Sequence, residues 1–332
     1  MKYKQFQTLG NEKLSSIGLG CWAFGGTWNN TEDKASISTI ETAVENGINF
    51  FDVAPIYGKG HSELILGKAV KKYERNSLFI ATKCGLVWDK DGNVTKDLTR
   101  DSIYRELEAT LKRLETDYID LYQIHWPFDN MPLREAMETL MELKEKKLIR
   151  YIGLSNFSKE QTEKCLEMAE ISSYQGLYNM LERNSEIYHH KNLEYKTEKE
   201  ILPICSENNM MFLPYSPLMQ GLLTGTFKKE NNFDNNDDRY NNPKLNGEKF
   251  IKYYNIIEEL KEISFKLEKP LSQIALNWLV NKKEMGPVIC GAQKPEHILE
   301  NISSLDWDLT QENEEEIEFV INKYNEKGLF KE

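Results

Sequence analysis

Asp52, Tyr57, Lys83 and His125 are the residues whose types and spacing could do chemistry. A carboxylate, a phenol, an ammonium and an imidazole held together suit acid–base work on a carbonyl group. Three of them end apolar runs: Asp52 follows residues 48–51, Lys83 follows 78–82 and His125 follows 118–124. Each run reads as a buried strand, each is followed by a polar, helix-like stretch, and Tyr57 falls on the loop after the first. Ionisable groups at the C-terminal ends of successive parallel strands are how a barrel builds an active site. Taken singly, Asp52 and Lys83 could be a structural ion pair, His125 a satisfied core histidine and Tyr57 loop packing. Three equivalent strand ends carrying such groups at once favour catalysis over that reading.

The elements that must position these groups alternate along the chain. Strands are expected at 17–20, 48–52, 78–83, 118–125, 150–154, 173–179, 210–214 and 287–291. Between them, helical periodicity appears at 32–46 and 62–72, from residue 99 through Ile103, Leu107, Leu111 and Leu114, and from Pro132 through Ala136, Leu140 and Leu143. Further helices are expected at 158–169 with Ser158 as cap, 196–208, 250–267, 271–281 and 295–302, with a last one at 310–324 beyond the repeat. Eight strand–helix units without a central linker predict an α/β architecture: one closed (β/α)8 TIM barrel over residues 1–332, with an added C-terminal helix and long loops. An open doubly wound sheet is the weaker alternative.

Three segments depart from that rhythm. Gly18, Gly20 and Ala23 satisfy a GxGxxA dinucleotide pattern, but residues 24–30 read as loop instead of an opening helix, so a Rossmann unit is rejected. Residues 228–247, rich in Asn and Asp, read as a solvated surface loop, with a lid as the alternative. Residues 183–197 form a second polar excursion containing His189 and His190; nothing nearby supplies further metal ligands, so no metal is expected.

Composition narrows the function. A net charge of -11 argues against nucleic acid or an anionic membrane as partner, although it permits a local basic pocket. Five spaced cysteines, Cys21, Cys84, Cys165, Cys205 and Cys290, lack a CxxC pair and fit reduced thiols. The amino terminus has no apolar signal core and no stretch reaches membrane-helix length, so a cytoplasmic protein acting on a small molecule is expected.

The ordered motifs 18–20, 51–58, 81–85, 117–127, 152–157, 175–179, 214–218, 221–223 and 290–292, with Glu300 and Asn301, resemble the aldo-keto reductase superfamily over nearly the whole chain. The similarity is to the bacterial branch near the potassium-channel β subunits. It implies an extended nicotinamide cofactor bound without a Rossmann domain, and reduction of an aldehyde or ketone, sugar-derived molecules included. By position, Gly20, Cys21, Trp22 and Asp52 border the cofactor; Ser155, Asn156 and Gln175 hold the carboxamide; and Tyr215 stacks on the nicotinamide. Ser216, Pro217, Leu218, Gly221 and Leu223 line the pyrophosphate, while Gly291, Gln293, Lys294, His297, Glu300 and Asn301 face the adenosine end. Gln293 brings no charge where relatives often place Arg, Lys or Ser, so NADPH is favoured over NADH only through Lys294 and Arg239. The 183–197 segment looks longer than in close relatives.

In this reading Lys83 lowers the Tyr57 pKa, Asp52 keeps Lys83 charged, and neutral His125 orients the carbonyl. Trp22, Tyr57, Trp88, His125 and Trp126 are the expected substrate walls. The alternatives are a slow, cofactor-sensing regulatory subunit, against which the intact tetrad counts, and oxidation of a polyol or sugar alcohol by the same residues in reverse.

Overall fold

A computed structural model describes every residue except 27–31, 190, 231–232, 234–236, 327–328 and 330–332, and omits the side chains of 238 and 241. Its centre is an eight-stranded parallel sheet. The strands are β1 (Ile17–Gly20), β2 (Phe50–Asp52), β3 (Phe79–Cys84), β4 (Ile119–Ile124), β5 (Ile149–Ser155), β6 (Ser173–Leu177), β7 (Met211–Tyr215) and β8 (Val288–Gly291). From β1 to β7 each pairs with the next, and β8 pairs with β1. The seam between β7 and β8 closes through a Phe212–Met285 bridge and a 2.7 Å bond from the Gly286 amide to the Phe212 carbonyl. The closed parallel barrel is therefore the fold.

The twofold period of a strand sorts side chains to two faces. Phe50, Phe79, Ala81, Leu121, Met211, Leu213 and Ile289 pack together inside the barrel. Phe51, Ile80 and Tyr122 point the other way, into the core shared with the helices. Two residues beyond Phe50 and Ala81, on the inner face, stand Asp52 and Lys83. An antiparallel hairpin of Tyr3–Lys4 with Leu14–Ser15, not expected from the sequence, sends Leu9 and Leu14 into the inner cluster at the end where the strands begin. The open end is thus the one that carries the ionisable groups.

The outer helices are α1 (Asp33–Glu45), α2 (His61–Val70), α3 (Arg100–Leu114), α4 (Leu133–Glu145), α5 (Lys159–Met168), α6 (Leu202–Glu207), α7 (Gly247–Leu267), α8 (Leu271–Val280), α9 (Pro295–Ser303) and α10 (Gln311–Glu326). Ser158 caps α5 in a reciprocal box with Gln161, as its position implied. Gly18 and Gly20 prove to be packing glycines: a Cβ would fall 2.7 Å from Phe50 and 2.8 Å from Ile289, respectively. The loop expected after them lies largely outside the described residues.

Two expectations need correction. The described part of 228–247 is not simply solvated: Asp237, Asn242, Lys244 and Leu245 are buried. Their polar groups are satisfied internally, Lys244 donating to Glu182 at 2.7 Å and to the Ile187 carbonyl at 3.1 Å. The segment 183–197 is likewise ordered, forming a hairpin of Ile187–Tyr188 with Lys191–Asn192. His190 lies outside the described residues.

Candidate active site

Strand pairing assembles the site. Asp52 and Lys83 lie on adjacent strands, and the Lys83 ammonium donates to both Asp52 carboxylate oxygens, at 2.9 and 2.8 Å. The same nitrogen reaches the Val53 carbonyl at 3.1 Å and the Tyr57 hydroxyl at 3.2 Å. Lys83 is 0% exposed. Burying this charge is tolerable because it is paired and saturated with acceptors. His125 follows β4 with its ring edge-on to Tyr57, the centroids 5.9 Å apart.

Tyr57 is held by backbone contact. A Cβ on Gly58, at φ +61, would fall 2.3 Å from the Gly25 carbonyl oxygen, and one on Gly25 would fall 2.6 Å from the Gly58 nitrogen. Only a glycine pair allows the turn Trp22–Gly25 and the Tyr57 loop to touch in this way. Neither glycine was singled out from the sequence.

The electrostatics correct one expectation. Burial first, then Asp52 and Cys21, push the Tyr57 phenol well above its ordinary value. The lowering expected from Lys83 is outweighed by the burial of the phenol, with the Asp52 carboxylate adding to the rise. Tyr57 therefore keeps its proton throughout the physiological range. Burial, Lys83 and Lys191 push His125 well below the usual histidine range, leaving a neutral imidazole.

Around this core the expected cofactor residues fall into groups. Gln175 donates to Asp52 at 2.7 Å, which ties its side chain to the Asp52–Lys83 pair. Asn156, at φ +64, is fully engaged: it donates to the His125 carbonyl at 3.1 Å and Ser155 at 3.0 Å, and accepts from Tyr195 at 3.1 Å and Tyr215 at 2.9 Å. These bonds set its side chain at the centre of the His125, Ser155, Tyr195 and Tyr215 cluster, where the sequence places a carboxamide contact. Tyr195, missed from the sequence, also accepts from the Leu177 amide at 2.9 Å. No spacing signal pointed to it, since it closes an irregular excursion.

After β7, Met219, Gln220 and Gly221 are consecutively left-handed, curling the backbone into a form suited to anions beside Ser216, Pro217, Leu218 and Leu223. Lys294 precedes α9 at its cap position, and the Gln293 amide donates to His297 Nδ1 at 3.3 Å. Arg239 does not offer a free charge, as two of its nitrogens bond Asp237 at 2.9 and 2.6 Å. Glu300 accepts from Ser272. The Asn301 amide nitrogen is buried without a hydrogen-bond partner, a donor in want of an acceptor such as an adenine nitrogen. The donor set fits an extended dinucleotide.

Among the expected substrate walls, Trp22 and Trp126 are half-buried at the mouth, and the hairpin 187–192 touches both. Trp88 stands on a separate hairpin, Leu86–Trp88 with Val94–Lys96. A hollow lined by Tyr118, Lys144, Arg150 and Tyr151 opens where β4 and β5 begin, at the far end from the tetrad.

Comparison with known proteins matches the profile of the aldo/keto reductase family to residues 16–322. The chain is 37% identical over 325 residues to an aldo-keto reductase of Bacillus subtilis, covering 97% of this chain and 94% of that one. It is 34% identical over 313 residues to an NADH-specific methylglyoxal reductase of Escherichia coli, covering 90% and 91%. A solved glycerol dehydrogenase from Gluconobacter oxydans superposes with a TM-score of 0.85 at 33% identity, covering 97% of this chain and 95% of that one.

Proposed function

The chain belongs to the aldo/keto reductase family, and on that premise we propose that it reduces an aldehyde or ketone to the alcohol with Tyr57 as general acid. The observation that carries this reading is the line from Asp52 through Lys83 to the Tyr57 hydroxyl, with His125 edge-on beside it. When bound, a reduced nicotinamide supplies hydride to the carbonyl carbon. The protein supplies the rest. Neutral His125 offers a ring N–H to the substrate oxygen and fixes the carbonyl. As charge builds on that oxygen, Tyr57 delivers its proton. An alkoxide is more basic than a phenolate, so the transfer runs downhill even from a raised pKa. Lys83 then faces the phenolate it can stabilise, and Asp52 holds Lys83 in place.

NADPH is the preferred cofactor on the strength of Lys294, because Asp237 occupies Arg239. The opposite direction, oxidation of a polyol, uses the same atoms in reverse, and the structural likeness to a glycerol dehydrogenase favours including it in the assay.

Tyr57→Phe is the test, with methylglyoxal and glyceraldehyde as substrates and NADPH and NADH as cofactors. The variant is expected to bind cofactor by fluorescence titration while kcat falls ~10²–10⁴-fold. Turnover at the wild-type rate would remove Tyr57 from the role.

A further inference from the structure

The hairpin Ile187–Tyr188 with Lys191–Asn192 leaves the barrel after β6 and passes over the catalytic mouth. Three ring contacts seat it. Tyr188 meets Tyr215 with ring centroids 5.1 Å apart, His189 meets Trp22 at 6.2 Å, and the Lys191 ammonium lies 4.6 Å from the Trp126 ring centroid. Those partners stand at the ends of β7, β1 and β4, so the hairpin is supported from three sides of the opening. Gln220 bonds His189 and accepts from Asn242 at 2.6 Å, tying the hairpin to the loops beyond β7.

Two lysines are brought to this opening. Lys191 stands over the tryptophan that directly follows His125, and Lys191 is among the charges that hold His125 neutral. Lys96 comes from the neighbouring hairpin, and its ammonium donates to the Pro127 carbonyl at 2.8 Å, one residue past Trp126. The two lysines are close enough that Lys96, after burial, depresses the Lys191 pKa. Neither ammonium forms an ion pair with a carboxylate among the described residues. In a chain of net charge -11, two exposed ammonium groups that repel each other stand at the mouth. An anion seated between them would be attracted by both charges.

We propose that this pocket selects carbonyl substrates bearing an anionic group, a carboxylate or a phosphate ester, at the end remote from the carbonyl, with Lys191 and Lys96 as the residues that set the selection. The carbonyl lies at Tyr57 and His125, the carbon skeleton lies along Trp126, and the anion meets the two ammonium groups. The proposal rests on carbonyl reduction at Tyr57.

Matched substrate pairs test it: 4-carboxybenzaldehyde against benzaldehyde, and glyceraldehyde 3-phosphate against glyceraldehyde. The wild-type enzyme is expected to favour the charged member of at least one pair in kcat/KM, through KM, and to lose that preference as salt is raised. Lys191→Met and Lys96→Met should each lower the charged-to-neutral ratio roughly fivefold. The double variant should abolish the preference, and Lys191→Glu should reverse it. The pair that responds identifies the anion. Turnover of the neutral aldehydes without a preference for either anion, or a preference that survives the double variant, overturns the proposal and leaves carbonyl reduction standing. Failure to turn over any of the four overturns both.

Discussion

The floor of the site is held by a buried ion pair, whereas its roof carries aromatic and cation–ring contacts beside its hydrogen bonds. At the floor, one buried ammonium meets four oxygens from three residues, and the carboxylate it pairs with also receives Gln175. At the roof, the 187–192 hairpin rests on ring edges and on a cation over an indole, with hydrogen bonds from Lys244 to the Ile187 carbonyl and between Gln220 and His189. The floor's geometry is a by-product of strand register, since Asp52, Lys83 and His125 cannot shift without breaking the barrel ladder. The roof can change residues at little cost to the fold. On the proposed roles, reaction chemistry sits where substitution is expensive, and substrate choice where it is cheap.

The largest effect that could break this contrast is at Lys83. Lys83→Met leaves the Asp52 carboxylate buried and uncompensated, and should cost ~3–5 kcal/mol of stability together with nearly all turnover. Pairing it with Asp52→Asn removes the orphaned charge. The double variant should regain most of the thermal stability, read by melting, and none of the activity. If activity returned with stability, the pair would be scaffolding and the floor would not differ in kind from the roof.

The floor was legible in the sequence because a strand that ends in an ionisable residue announces both its direction and its face. The apolar runs before Asp52, Lys83 and His125 did this, and the barrel followed from their repetition. What could not be read was contact between segments distant in the chain. The Gly25–Gly58 approach depends on two backbones meeting, and either glycine alone looks like an ordinary turn residue. The raised Tyr57 pKa depends on how deeply the fold buries the phenol and on the Asp52 and Cys21 groups it brings beside it, which composition does not encode. The excursion at 183–197 has no period because its order comes from the rings beneath it.

Tyr195 joins the two regions and gives a smaller effect. It comes from the same excursion as the roof, yet it is buried and bonds Leu177 and Asn156 in the floor. Tyr195→Phe strands the buried Leu177 amide and frees one side of Asn156, at ~1–3 kcal/mol. Cofactor affinity should weaken several-fold, with kcat at saturating cofactor nearly unchanged. A large fall in kcat with unaltered cofactor binding would place Tyr195 in the chemistry and blur the boundary.

The smallest effect concerns the joint where the floor passes into the hairpin that carries Lys96. Gly85, at φ +92, follows β3 directly, and its amide donates to both oxygens of Glu106 on α3, at 3.0 and 3.2 Å. Burial raises the Glu106 carboxyl from 4.5 to about 8, against the pull of the Gly85 bond. In the folded protein this group holds its proton up to about pH 8, whereas in the unfolded chain it loses it near pH 4.5. Between those values the folded state binds more protons, so stability falls as pH rises; it is fully present below the unfolded value and lost by the folded one. Glu106→Gln keeps an oxygen for Gly85 and does not titrate. The melting temperature of the variant relative to wild type should therefore climb by a few degrees between pH 5 and pH 9, while turnover of a neutral aldehyde, fixed by Tyr57 beyond the joint, changes less. A difference that stays constant across that range would mean that Glu106 is ionised in the folded protein, and that the joint is a charged clamp like the floor itself.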